Sequence, residues 1–220
     1  MSETKKENII CPNCGKPLQT MFVPSVNSRR NAKAREQILS DEFFHCSCKQ
    51  CGYRGNILAR CLYHDETHGF MVYLMPEFSG SRLIDAQVEH EFPEMADVPR
   101  RVVTGINRMK EKILLLEAGL NDRAVELSKL AVSGLVAQRH NGKIREVYFS
   151  EMDEENDRIG FTFFMENESE PIQYRTRAEV YRISQEIVNK HLQAHPENGF
   201  CNIDIRWASR VLAEYRRTAE

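Results

Sequence analysis

The chain has 220 residues, 41% of them hydrophobic and 28% charged, with 30 basic against 32 acidic side chains and a formal net charge of −2. This balance excludes an extensively disordered chain and leaves room for one large domain or two small ones. No apolar run approaches the roughly 18 residues of a membrane span, and the opening MSETKKENII lacks a signal peptide's apolar core, so a cytoplasmic protein that does not engage the membrane is expected.

Short strands are predicted over residues 18–23, 42–47, 56–63 and 70–75, bounded by Pro24, Gly52, Gly55, Gly69 and Pro76. One helix is predicted among them over 31–39, where good helix formers follow Ser28 and Asn31 as N-cap candidates. Residues 77–98 then carry Glu77, Asp85, Glu89, Glu91, Glu94 and Asp97 against the single Arg82, with Pro, Gly and Ser punctuation, and read as an acidic connection.

Val102, Ile106, Met109, Ile113, Leu116 and Leu120 recur at spacings of four and three, which predicts one helix ending at Gly119. A second helix follows over 121–138 behind Asn121, and Asn141-Gly142 turns the chain. Strands are predicted over 144–149 and 159–165, the latter because Ile159, Phe161, Phe163 and Met165 alternate with period two. The acidic turn at 153–157 between them lacks the glycine and glutamate of a calcium loop, since Arg158 and Phe164 occupy those places. Helices over 176–193 and 204–215 complete the chain, the last with a stripe of Ile205, Ala208, Val211 and Tyr215. The order predicts an α+β protein with an N-terminal zinc-ribbon-like β module over 1–76 and an inserted helix. The 77–98 connection leads to a C-terminal domain over 99–220, where helices pack with a small antiparallel sheet.

Chemistry concentrates in the cysteines. Seven are present, an odd number, and all but one fall within the first 61 residues. A reducing compartment argues against disulfides and for metal. Cys11-Pro-Asn-Cys14-Gly and Cys48-Lys-Gln-Cys51-Gly are two copies of one device, in which a two-residue gap lets both thiolates face one ion and the following glycine permits the tight turn. Together they predict one structural Zn2+ held by Cys11, Cys14, Cys48 and Cys51. The 33 residues separating the pairs exceed the ~15–20 of a simple ribbon. Doubling a closed loop costs only ~0.6 kcal/mol, against ~10–16 kcal/mol from a structural zinc site, so the spacer is no obstacle. Four thiolates close the coordination shell, which favours a structural ion over a catalytic one. Cys46 precedes Cys48 by two residues, is expected on the same strand face, and is read as a spare thiol near the site.

In these motifs and their order the sequence resembles the CpXC family of prokaryotic proteins. The resemblance rests on ICPNCG at 10–15, SVN at 25–27, the helix-containing insertion, FFHCSCKQCG at 43–52 and LYHDETHGFMVYLMP at 62–76, and continues more loosely through EKILLLEAGLNDRAVELSKL at 111–130. Lys49 stands where the family often has proline. The resemblance implies zinc binding and little more.

A non-enzymatic scaffold that presents surfaces to a protein partner, with homo-oligomerisation left open, is the favoured functional expectation. Nucleic-acid binding is second, suggested by Arg29, Arg30, Lys33 and Arg35 on the predicted helix. Residues 1–75 hold ten Lys/Arg and seven Asp/Glu, a formal +3 that four thiolates and one Zn2+ reduce to +1, too weak a field for strong phosphate attraction. Third is a thiol enzyme using Cys61 or Cys46 with His45, His64 or His68 as base and Asp65 as orienter. No recognised catalytic motif surrounds those residues, and His64-Asp65 is expected to organise a turn. His191 and His195 have helical spacing but precede Pro196, and read as surface histidines favourable to a helix C-terminus.

Overall fold

The strand-forming runs of the N-terminal region pair into three sheets in the computed structural model, which describes residues 5–22, 25–86, 90, 98–195 and 197–219. Strands β1 (Lys5–Ile10) and β2 (Pro17–Phe22) form one antiparallel hairpin, and β4 (His45–Ser47) and β5 (Arg54–Asn56) form another. Between them the chain makes a short strand, β3 (Ser25–Asn27), and helix α1 (Ala32–Leu39), which buries Ala34 and Ile38. Two compact units result. The first is drawn from the residues up to Ile113 with Gly199–Cys201, the second from Leu114–Asn198 with the residues from Asn202 onward.

The first unit is centred on a six-stranded mixed sheet of order β3-β6-β7-β9-β13-β8. Its members include β6 (Cys61–Asp65), β7 (Phe70–Leu74), β8 (Arg82–Leu83), β9 (Arg100–Val103) and β13 (Phe200–Cys201). β6 and β7 form the central hairpin, whereas β3 on β6 and β9 on β7 are parallel. One face packs Leu62, Met71, Val102 and Phe200 with Tyr73, Met75, Phe78, Leu83 and Val98.

In the second unit β10 (Ile144–Asp153), β11 (Arg158–Met165) and β12 (Ile172–Arg177) make an antiparallel sheet. Its helices are α3 (Asp122–Arg139), α4 (Glu179–Ala194) and α5 (Ile205–Ala219). Ile159, Phe161, Phe163 and Met165 are all buried, as the alternation predicts. Asn121 caps α3 by accepting from the backbone N–H groups of Arg123 and Ala124. Asn141 takes a positive φ of 45° at the turn that follows. At the acidic turn Asp153 accepts from Asn156 at 3.0 and 2.8 Å, and Asp157 pairs with Arg182. It is a hairpin turn stabilised by its own side chains.

The α+β class is therefore the observed one, with several elements redrawn. The helix expected from Val102 begins instead at Ile106, as α2 (Ile106–Glu117), because Val102 and Val103 belong to β9, opposite Tyr73 and Leu74. A spacing of four keeps residues on one face in a strand as well as in a helix, so the interval from Val102 to Ile106 does not distinguish the two. The run 42–47 divides into a 3-10 turn (Glu42–Phe44), entered through Asp41 at a φ of 69°, followed by β4. The run 56–63 breaks between β5 and β6, and Thr176 and Arg177, predicted to open a helix, belong to β12, with α4 starting only at Glu179. Asn31 occupies the N-cap of α1 without a side-chain bond. Asn27 instead accepts from the backbone N–H groups of Arg29 and Arg30. Of the acidic connection, Glu89, Glu91, Glu94 and Asp97 lie outside the described residues. Among the described residues no helix is long and apolar enough to cross a membrane.

Phe161→Ala removes a fully buried ring from β11 and is expected to lower stability by about 3–5 kcal/mol, while Thr162→Ala, on the opposite face, changes it by less than about 0.5 kcal/mol. Urea unfolding followed by circular dichroism checks the contrast, and equal losses would contradict the assigned face.

Candidate metal centre

Each Cys-x-x-Cys pair forms the tip of its own hairpin. β1 and β2 end in register at Ile10 and Pro17, and β4 and β5 at Ser47 and Arg54. Each tip spans six residues with the same backbone wiring. Gly15 N–H donates to Cys11 O at 2.9 Å and Gly52 N–H to Cys48 O at 2.9 Å. Cys11 N–H donates to Lys16 O at 2.9 Å and Cys48 N–H to Tyr53 O at 2.8 Å. Gly15 and Gly52 take positive φ angles of 69° and 73°, the left-handed conformation that closes each turn and that a β-carbon disfavours.

The two tips converge. Sγ of Cys11 lies 3.7 Å from Sγ of Cys51, and Sγ of Cys14 lies 3.7 Å from Sγ of Cys48. All four sulfurs stand within 4.8 Å of one another. Four thiolates arranged tetrahedrally at ~2.3 Å from an ion have edges of ~3.8 Å, so the cluster has the dimensions of a tetrathiolate metal site. The pairs cross between hairpins, each short edge joining one sulfur from each tip. An ion there would tie the two hairpins together.

Electrostatics favours the same conclusion. The Asn13 side chain and the Tyr53 backbone N–H hold the Cys51 thiol down at about 6. The Lys16 backbone N–H pulls on Cys14, but desolvation and the sulfurs of Cys51, Cys11 and Cys48 outweigh it and push that thiol up to about 11. One thiol of the cluster ionises easily and another resists, because its charge would join a charge already present. A dication removes that conflict, which is why such sites release protons on loading.

Cys46 is buried in β4, just ahead of the tip that carries Cys48, and packs with Cys11, Leu18 and Cys48, outside the four-sulfur group. Desolvation raises its thiol first, with nearby thiolate charge adding to the effect. Cys61 is fully buried in β6 and is pushed up to about 12 by desolvation. His45 is exposed, whereas His64 is buried beside Asp65.

Asp65 organises the β6–β7 turn. It accepts from the N–H of Thr67 at 2.9 Å, the N–H of His68 at 3.1 Å and the Ser28 hydroxyl at 3.2 Å, and its other oxygen lies 3.1 Å from His68 Nδ1. Its carboxyl titrates below the ordinary range: burial pushes it up, but the bonds from His68 and Thr67 prevail. Asn27 reaches the same turn, donating to Glu66 at 2.5 Å. The SVN and LYHD segments are thus partners in space, because β3 lies against β6.

The basic residues are more dispersed than a helical stripe. Arg29 and Arg30 lie in the turn before α1 and are exposed, Lys33 is exposed on the helix, and Arg35 is half-buried. Arg29 pairs with Glu66 at 3.5 Å.

Hairpin tips and converging sulfurs define a protein built round a tetracysteine cluster of metal-binding geometry. A family model described as CpXC protein matches residues 9–129, more than half of the chain and including both hairpin tips, and the protein belongs to the CpXC family. No curated protein and no solved structure matches it.

A buried thiol held at about 12 is a poor nucleophile near neutral pH. Cys61 is therefore expected to resist iodoacetamide in the folded protein and to react fully in denaturant, as read by peptide mass spectrometry. Rapid labelling without denaturant would show that β6 opens readily.

Proposed function

We propose that this is a structural zinc protein. One Zn2+ held by Cys11, Cys14, Cys48 and Cys51 ties a zinc-ribbon-like module together, and the chain acts in the cytoplasm as a non-enzymatic scaffold presenting surfaces to a protein partner. The observation that carries the zinc reading is the pair of 3.7 Å sulfur–sulfur contacts between hairpins. A tetrahedral all-sulfur site suits zinc or iron among the common biological metals, and the closed shell leaves no position for substrate. The scaffold reading is supported by the deep burial of the thiols outside the cluster, Cys46, Cys61 and Cys201. It is also supported by large apolar side chains left at the surface of the first unit, namely Ile10, Leu58 and Ile84.

Nucleic-acid binding is the second reading, favoured by the exposure of Arg29, Arg30 and Lys33. Glu66 offsets part of that charge at Arg29. Binding that falls steeply between about 50 and 200 mM salt and disappears in Arg29→Ala and Arg30→Ala would move this reading ahead of the first.

Metal analysis of protein purified without added zinc is expected to give about one zinc ion per chain, lost in Cys11→Ser and Cys48→Ser and retained in Cys46→Ser. Visible absorption with iron in place of zinc would change the metal. Absence of any metal would sink the reading and return the thiols to redox chemistry.

A further inference from the structure

The second unit carries another group of metal-ligating side chains, His191, His195 and Glu214, each offering one donor atom within 4.8 Å of the others. Two helices supply them. His191 is in the last turn of α4, and His195 follows that helix with its N–H still bonded to His191 O at 2.8 Å, so the two imidazoles stand one turn apart with centroids separated by 5.0 Å. Glu214 comes from α5. Sequence spacing shows the histidines alone, and they read there as surface groups. The structure buries most of His191, whose side chain is 14% exposed, and brings a carboxylate to it.

Glu214 Oε2 is shielded from solvent and accepts no hydrogen bond from the described residues, although His191 Nδ1 is only 3.2 Å away. A buried carboxylate oxygen without a donor is unfavourable. Two ligands ~2.0–2.1 Å from a common tetrahedral ion stand ~3.3–3.4 Å apart, so the contact has the length expected of neighbouring donors on one cation. The His191 ring is braced: Trp207 packs edge-on at 6.0 Å, its Nε1 donates to Glu197 at 2.7 Å, and Glu197 accepts from Arg123 at 2.6 Å. A cleft of about 270 Å³ adjoins the three side chains, walled by Ile187, Ala194, Val211 and Tyr215. Lys190 also lines it, with its Nζ 5.5 Å from the centroid of the Tyr215 ring.

We infer that His191, His195 and Glu214 form a second metal site, which takes a borderline divalent cation of the zinc class and leaves its remaining coordination position facing the cleft. Two imidazoles and one carboxylate suit Zn2+, Co2+ or Ni2+ better than the hard cations Mg2+ and Ca2+. Three protein ligands leave the ion open to water or a small exogenous ligand, unlike the closed thiolate cluster. These residues lie beyond the 9–129 segment that the family model matches, and nothing in the inference depends on the cysteines.

The test uses full-length protein purified without a histidine tag and already carrying its tightly held metal. Calorimetric titration with ZnCl2 is expected to show uptake of about one further equivalent. That equivalent is lost in His191→Asn, in His195→Asn and in Glu214→Gln, while Cys48→Ser retains it and loses the first. With Co2+ the second equivalent adds d–d absorption without thiolate charge transfer. His195 is exposed at a helix end, so His195→Asn stays informative if either of the other variants fails to fold by circular dichroism. A wild-type protein that takes up no second equivalent, or that binds it equally well after His195→Asn, overturns the site. Loss in His195→Asn with full binding in folded Glu214→Gln overturns the three-ligand set.

Discussion

Convergence of four sulfurs from two hairpin tips is the constraint on which the N-terminal region depends. A two-stranded hairpin is marginal in water by itself. Among the described residues the apolar cluster around the two tips consists of Cys11, Leu18, Cys46 and Cys48, with Cys14, Tyr53 and Ile57 at its edge, so the cysteines of the site are themselves part of it. An ion bound there would hold the tips together and offset the mutual repulsion of thiolates whose sulfurs lie 3.7 Å apart.

That arrangement accounts for the long separation between the two cysteine pairs. Residues between the tips leave the first hairpin, add β3 as a parallel edge strand to β6, and bury Ala34 and Ile38 through α1 before returning as the second hairpin. The spacer is therefore structure shared with the neighbouring sheet. Its junction is fixed by polar contacts, since Ser28 and Asn27 bond to Asp65 and Glu66 at the β6–β7 turn. Such bonds specify where β3 lies along β6, and they account for Asp65 as a residue that organises the turn, while His64 lies within β6 itself.

What could be read from sequence follows the range of the interactions involved. The four-cysteine cluster was legible because each Cys-x-x-Cys-Gly turn is set by six consecutive residues, and β11 because Ile159 to Met165 alternate without interruption. The start of α2 was not, since Val102 satisfies both the strand and the helix period and only its pairing with Tyr73 decides between them. β8 and β13 are two residues each and exist through pairing across more than a hundred residues, Phe200 with Leu83 and Cys201 with Arg82. β12 does alternate, with Ile172, Tyr174 and Thr176 half-buried, but its other face is polar and exposed, and the helix directly behind it obscured its end.

The same distinction separates the two candidate metal clusters. A thiolate pair carries its geometry in its own turn, so sequence displays half a site at a time and the second half confirms the first. His191 and His195 supply two ligands by helical spacing, but their value as a site depends on a carboxylate from another helix, and only packing of α4 with α5 can provide it. A closed shell of four charged sulfurs gives up ligand exchange for stability. Two neutral imidazoles and one carboxylate bind less tightly and keep a position free, and that free position opens on a cleft with apolar walls. If both sites load, the chain contains one ion suited to holding structure and another suited to meeting an external ligand, each within a different compact unit.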